Sequence, residues 1–190
     1  QAALDEVDNK GEPIPVKERL IVFPALELTL QVPCQAILIL DAEFPLDRLD
    51  DVLKALHHEP FNPSARSLPT TTVLPKSDSI SSLCAHLDLK PWLKGRYIVL
   101  PNVTPGGHKT LIRDSFQDKY KDALTVCVGG YLDGSAAILE KKPGKAKILE
   151  GRDGNWGNRP IAVFQTSDSR RSDFAALGSV ATWVKWSRPT

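Results

Sequence analysis

Methionine is absent from the 190 residues, and only three cysteines are present, Cys34, Cys84 and Cys127. An odd cysteine count excludes a complete disulfide framework. Each cysteine sits in an apolar segment (VPCQAI, SLCAHL, TVCVGG), the setting of a buried thiol that behaves as a small hydrophobe. That usage points to a reducing, intracellular compartment. Long apolar runs are missing too. The longest spans residues 36–40, far short of the ~18 to 20 residues a membrane helix needs. The opening QAALDEVDNKGEPIP has no signal-peptide core and no initiator Met, so we expect a processed or excised chain. No internal repeat or low-complexity tract is visible.

What is present is ordinary for a folded domain: 42% hydrophobic and 25% charged residues. A chain of this length buries roughly 70% of its unfolded surface, enough to fold without disulfide or metal. The net charge of +1 is unevenly spread. Residues 1–100 hold 10 Lys/Arg and 14 Asp/Glu, whereas residues 101–190 hold 14 and 9. The basic half suits a nucleic acid, phosphate or acidic partner, or simply pairs with the acidic half.

Residues 1–17, with Pro13 and Pro15, read as an extended arm or linker, and residues 18–190 as one mixed α/β domain. In residues 25–32, Leu26, Leu28, Leu30 and Val32 alternate with polar residues, which predicts a half-buried strand. QAILILD (35–41) and RYIVL (96–100) are continuous apolar runs, as in strands covered on both faces. Leu46, Leu49, Val52, Leu53 and Leu56 predict a helix over 46–58, stopped by Pro60. Residues 60–77, rich in Pro, Ser and Thr, read as a long loop. A helix over 78–89, capped by Ser77 or Asp78, points Ile80, Leu83, Cys84 and Leu87 inward. Another over 109–123 lines up Leu111, Ile112, Phe116 and Tyr120, followed by a short strand at 125–128. Residues 131–141, 145–150 and 160–166 read as strands joined by turns at Asp133-Gly134 and Pro143-Gly144. A last helix is expected over 172–185. The alternation in the middle argues for parallel pairing, and the end for an antiparallel meander. The expected fold is therefore a mixed sheet with the two apolar runs as adjacent central strands, helices on both faces and an antiparallel C-terminal meander.

Four places carry candidate chemistry. Asp41 and Glu43 end QAILILD, where ligands gather beyond strand ends in open α/β sheets. Two carboxylates there suit Mg²⁺ and phosphoryl chemistry. The pair resembles the opening Asp-x-Glu of the DEDD exonucleases, although a helix follows here at once. The other reading is a strand-to-helix turn that caps the helix. Asp133 followed by Glu140, Lys141 and Lys142 resembles the core of the PD-(D/E)xK nucleases, which implies acids on a metal and Lys142 orienting water. The other reading is a solvated hairpin with edge lysines. The loop from Thr104 through Gly106 and Gly107 to Thr110 sits where a phosphate loop would, but His108 intervenes where a Walker A loop requires Gly before Lys-Thr. His108-Lys109-Thr110 also resembles one motif of the 2H phosphoesterases, without a second copy. Asn102-Val103-Thr104 is a glycosylation sequon. Cys84 and His86, two apart on a helix, point different ways and form no dyad.

The fourth feature is a basic, aromatic C-terminal region. Lys141, Lys142, Lys145, Lys147, Arg152 and Arg159 flank a Gly-Asn-Trp loop centred on Trp156, and Arg170 and Arg171 follow, then Trp183, Lys185, Trp186 and Arg188. Cations beside exposed aromatics suit single-stranded nucleic acid or a protein partner; the other reading is a core Trp in a structured turn with ordinary surface charge. The preferred expectation is thus a non-enzymatic interaction domain with its binding surface in residues 141–171. It needs no cofactor, engages no membrane and leaves the oligomeric state open. The rival is a metal-dependent, nuclease-like phosphoryl-transfer enzyme using Asp41 and Glu43, or Asp133, Glu140 and Lys142, with Mg²⁺.

Overall fold

The computed structural model describes residues 10–12, 21–30, 32, 34–56, 79–107, 109–167 and 179–182. Three strands, β1 (Ala25–Thr29), β2 (Gln35–Leu40) and β3 (Tyr97–Pro101), form an antiparallel sheet in the order β1-β2-β3. Leu38 of β2 sits opposite Leu26 on one side and Val99 on the other. β4 (Gly129–Asp133) and β5 (Ala162–Thr166) form a second, parallel pair, with Tyr131 opposite Phe164. The two sheets meet at one corner, where the Val103 amide donates to the Tyr131 carbonyl at 2.8 Å beside a parallel bridge from Asn102 to Tyr131. That approach requires glycine at 130, because a Cβ there would lie 2.6 Å from Val103 Cγ1 and 2.9 Å from the Pro101 carbonyl oxygen. Among the described residues there are also four helices, α1 (Leu49–Ala55), α2 (Ile80–Asp88), α3 (Gln117–Ala123) and α4 (Pro143–Leu149). The chain is therefore mixed α/β, as its sequence leads one to expect. No helix among the described residues is long and apolar enough to cross a membrane.

QAILILD and RYIVL are neighbours, but antiparallel. Their connection carries two helices, α1 and α2, and returns the chain to the end of β2 it left, where the Asp41 amide bonds the Arg96 carbonyl at 2.9 Å. β2 is central, and β3 lies at the edge of its three-stranded sheet apart from the corner contact. Neither run is covered evenly. Ala36, Leu38 and Leu40 are buried while Ile37 and Ile39 are half-buried, so a continuous apolar run here serves a sheet with one dominant core face.

The C-terminal meander is replaced by a crossover. Gly134, with φ of 85°, does turn the chain, but a 3₁₀ segment, Ala136–Leu139, follows in place of a returning strand. Pro143 then occupies the start of α4 rather than a hairpin turn, as its fixed φ favours. Ile148 and Leu149 of α4 are buried, and α4 links two parallel strands. The expected strand at 125–128 is turn, and its pairing begins only at Gly129. Residues 109–116 are irregular with Ser115 at φ of 67°, so helix 109–123 shrinks to α3. Leu111, Ile112 and Tyr120 still reach the core.

α2 buries Ile80, Leu83, Cys84 and Leu87 as expected, but its cap is Ser79, not Ser77 or Asp78; the Ser79 hydroxyl accepts from the Ser82 amide at 3.1 Å. The expected helix over 46–58 is a 3₁₀ turn, Leu46–Arg48, followed by α1, which buries Val52 and Ala55 and leaves Leu53 half-buried; Leu56 just after it is buried and Leu46 is 63% exposed. The arm at 1–17 (save residues 10–12), the loop at 60–77 and the helix at 172–185 (save residues 179–182) lie outside the described residues.

Candidate functional site

Asp41 leaves β2 facing Arg96 at the start of β3. The Arg96 guanidinium donates to both Asp41 carboxylate oxygens, at 2.5 and 3.0 Å, and to the Glu43 carbonyl at 3.0 Å. The hydrogen bond to Asp41 raises the Arg96 pKa, since it favours the charged form. Arg96 also lies 5.3 Å from the Phe44 ring, and Arg48 stacks 4.5 Å over Trp92 beside it. Both Asp41 oxygens are thus engaged by a cation, and the Glu43 side chain is exposed. This arrangement fastens the β2–β3 end and does not fit a Mg²⁺ ligand pair. The residues do not cap the following helix either, whose flanking residue is Pro45 without a side-chain cap.

Asp133 ends β4 beside the ends of β3 and β5. The Thr166 hydroxyl lies 3.3 Å from one carboxylate oxygen, and the Thr104 hydroxyl and Asn102 amide nitrogen lie 3.4 and 3.5 Å from the other. The Asp133 amide donates back to the Thr104 hydroxyl at 3.0 Å. Asn102 is 5% exposed, with its amide nitrogen donating to the Tyr131 hydroxyl and its oxygen accepting from the Thr104 amide. The sequon side chain is therefore consumed inside the fold. Glu140 and Lys142 are exposed beyond the 3₁₀ segment, and no hydrogen bond or ion pair among the described residues joins them to Asp133. The sequence does not single out Thr104 as a partner of Asp133, or Thr166 at all. The one signal for this cluster is a polar Asn at the end of an apolar strand.

The glycine loop is tied down locally. Gly106 has φ of 87°, the Thr110 hydroxyl donates to the Asn102 carbonyl at 3.2 Å, and the Lys109 carbonyl accepts from the Gln35 amide. No helix starts at 109, so the strand-loop-helix setting of a phosphate loop is absent there, and His108 lies outside the described residues.

The basic region divides sharply. Trp156 is not an exposed platform: it is 6% exposed and meets Tyr120 of α3 edge-on, with centroids 5.5 Å apart at 80°. Lys145 bridges the Ile112 carbonyl at 2.7 Å and Asp114 at 2.9 Å, and its ammonium lies 5.8 Å from the Trp156 ring. Arg159 donates to the Leu124 carbonyl at the end of α3. Arg152 pairs with Glu150 on the surface. Lys141 and Lys142 are exposed and make no ion pair among the described residues. Arg170, Arg171, Trp183, Lys185, Trp186 and Arg188 lie outside those residues. Lys141, Lys142 and Lys145 line an open groove of about 470 Å³ with Gln117, Pro143, Gly144, Asp114 and Asp153, above buried Ile148 and Trp156.

The three cysteine thiols are buried. Burial pushes the Cys84 thiol up to about 11 and the Cys34 thiol up to about 12, and raises Cys127 as well. His86 is 2.9 Å from the Ala55 carbonyl, not paired with Cys84. Among the described residues no three His, Cys, Asp or Glu side chains converge to hold a metal. The chain matches no protein-family model, no curated protein and no solved structure.

Proposed function

We propose that this chain is an interaction domain whose partner, a protein or a nucleic acid, docks at the groove formed by α4 and the residues before it. The observation that carries the reading is the pairing of two unengaged lysines, Lys141 and Lys142, with a concave surface over Ile148 and Trp156. Three other cations of the basic region have internal duties: Lys145, Arg152 and Arg159 each bond a carbonyl or carboxylate of the chain. Lysines held at the rim of a groove attract an oppositely charged partner and set its orientation more than its raw affinity. The test is a capture experiment with the wild-type chain and a Lys141→Glu/Lys142→Glu variant on equal amounts of source extract. A component that the wild type retains and the variant loses, with unchanged melting of both proteins, supports the reading. Identical captured material contradicts it.

The rival, metal-dependent phosphoryl transfer, keeps one residue with supporting surroundings. Asp133 stands at the carboxyl ends of parallel strands, where ligands gather. Mg²⁺-dependent release of phosphate or nucleotides that disappears in Asp133→Asn would favour it over the interaction reading.

A further inference from the structure

We infer that the groove's occupant is an acidic peptide segment carrying one large apolar side chain, and not a nucleic acid; this rests on the interaction reading above. Three features separate the two partners. Single-stranded nucleic acid is bound by exposed aromatic faces on which bases stack. The groove's ring, Trp156, is 6% exposed and already committed to Tyr120, so it offers a patch of edge and no free face. Second, Asp114 and Asp153 share the groove with the lysines. They offset part of the lysines' charge, and a continuous phosphate backbone must pass close to several free cations to gain from counterion release. Lys145 is neutralised by Asp114 at 2.9 Å, leaving only Lys141 and Lys142 to receive a partner's charge. Two cations match two or three carboxylates of a peptide. Third, the base is apolar, formed by Ile148 and Trp156, and about 470 Å³ accepts a side chain such as Phe or Leu. Anchors of this kind carry most of the energy of protein interfaces, with charges at the rim. Gly144 is part of the lining, and a Cβ there would meet nothing within 4 Å.

The experiment is fluorescence anisotropy on the full 190-residue chain with two labelled probes, the amidated peptide Ser-Asp-Glu-Phe-Ser-Glu and oligo(dT). The peptide should bind, and its analogue with Ser in place of Phe should bind at least about tenfold more weakly, the loss expected of a buried apolar side chain. Lys141→Glu/Lys142→Glu should weaken the peptide by about tenfold. Gly144→Leu, which adds a side chain to the groove lining without a Cβ clash or a change of charge, should weaken it similarly without lowering the melting temperature. Binding of oligo(dT) without the peptide overturns this inference and leaves the interaction reading standing. Failure of both probes overturns both. Peptide binding that neither variant reduces also overturns both, since the peptide then sits elsewhere.

Discussion

Replacing Trp156 with Ala should unfold the C-terminal part of the molecule more readily than any change to the charges around it. The indole is 6% exposed, lies edge-on to Tyr120 and sits beneath the Lys145 ammonium. Truncating a buried Trp to Ala costs about 3–5 kcal/mol, because transfer energy is lost and a cavity remains. Of that, the aromatic pair accounts for roughly 0.5–1.5 kcal/mol. For a chain of this size each kcal/mol moves the midpoint by about 2–4 °C, so the melt should fall by roughly 6–20 °C. Trp156→Phe keeps a ring against Tyr120 and should lose less than half as much. Arg152→Ala, which removes only a surface pair with Glu150, should melt like the wild type. Thermal melts by far-UV circular dichroism measure all three. If Trp156→Ala melts with the wild type, the indole is not core, and the reasoning that withdraws it from the binding surface fails.

Four further outcomes follow from the same packing. Leu56→Ala, at 0% exposure, should cost about 2–5 kcal/mol in urea unfolding, Leu53→Ala less and Asp50→Ala nothing measurable, and equal losses would mean the α1 face is misassigned. Gly130→Ala should destabilise by about 1–3 kcal/mol because its Cβ meets Val103 and the Pro101 carbonyl, whereas Gly144→Ala, in open space on α4, should be neutral or stabilising by ~0.5–1 kcal/mol; calorimetry separates them. Cys34, Cys84 and Cys127 should resist a thiol reagent in the native protein and all react once it is denatured. Because burial raises the folded pKa of Cys34 to about 12 and of Cys84 to about 11 from 9.0, their contribution to stability is complete below about pH 9 and is lost as pH rises toward 11–12. Denaturant titrations at increasing alkaline pH should therefore show falling stability, with a smaller fall in Cys34→Ala.

What the sequence discloses and what it hides follow from how local each determinant is. α2 was legible because its inward residues recur at helical spacing, a local fact, although its cap proved to be Ser79 and not Ser77 or Asp78. β2 and β3 were legible as strands, but not their direction, which depends on how the two helices between them return the chain. The segment 143–149 alternates Lys, Ala, Lys and Ile and so mimics a strand; Pro143 at a helix start carries the opposite message. Among Gly, Asn and Arg, Trp156 could be read as exposed or as core, and Tyr120 of α3, far along the chain, decides for core. Asp41 looked like a metal ligand until Arg96, fifty-five residues on, engaged both its oxygens. Asn102, Thr104, Asp133 and Thr166 converge only because β3, β4 and β5 end together. The lysines stood out by composition, but which of them are unengaged is decided by tertiary partners.

The central claim is that Lys141 and Lys142, and not Lys145, face the partner. Lysine acylation footprinting followed by mass spectrometry reads this directly. In the free chain Lys141 and Lys142 should react fast, and Lys145, held by Ile112 and Asp114, slowly. In the presence of the captured partner, Lys141 and Lys142 should become protected while Lys10, Lys54 and Lys90 do not change. Protection that bypasses Lys141 and Lys142 would contradict the account.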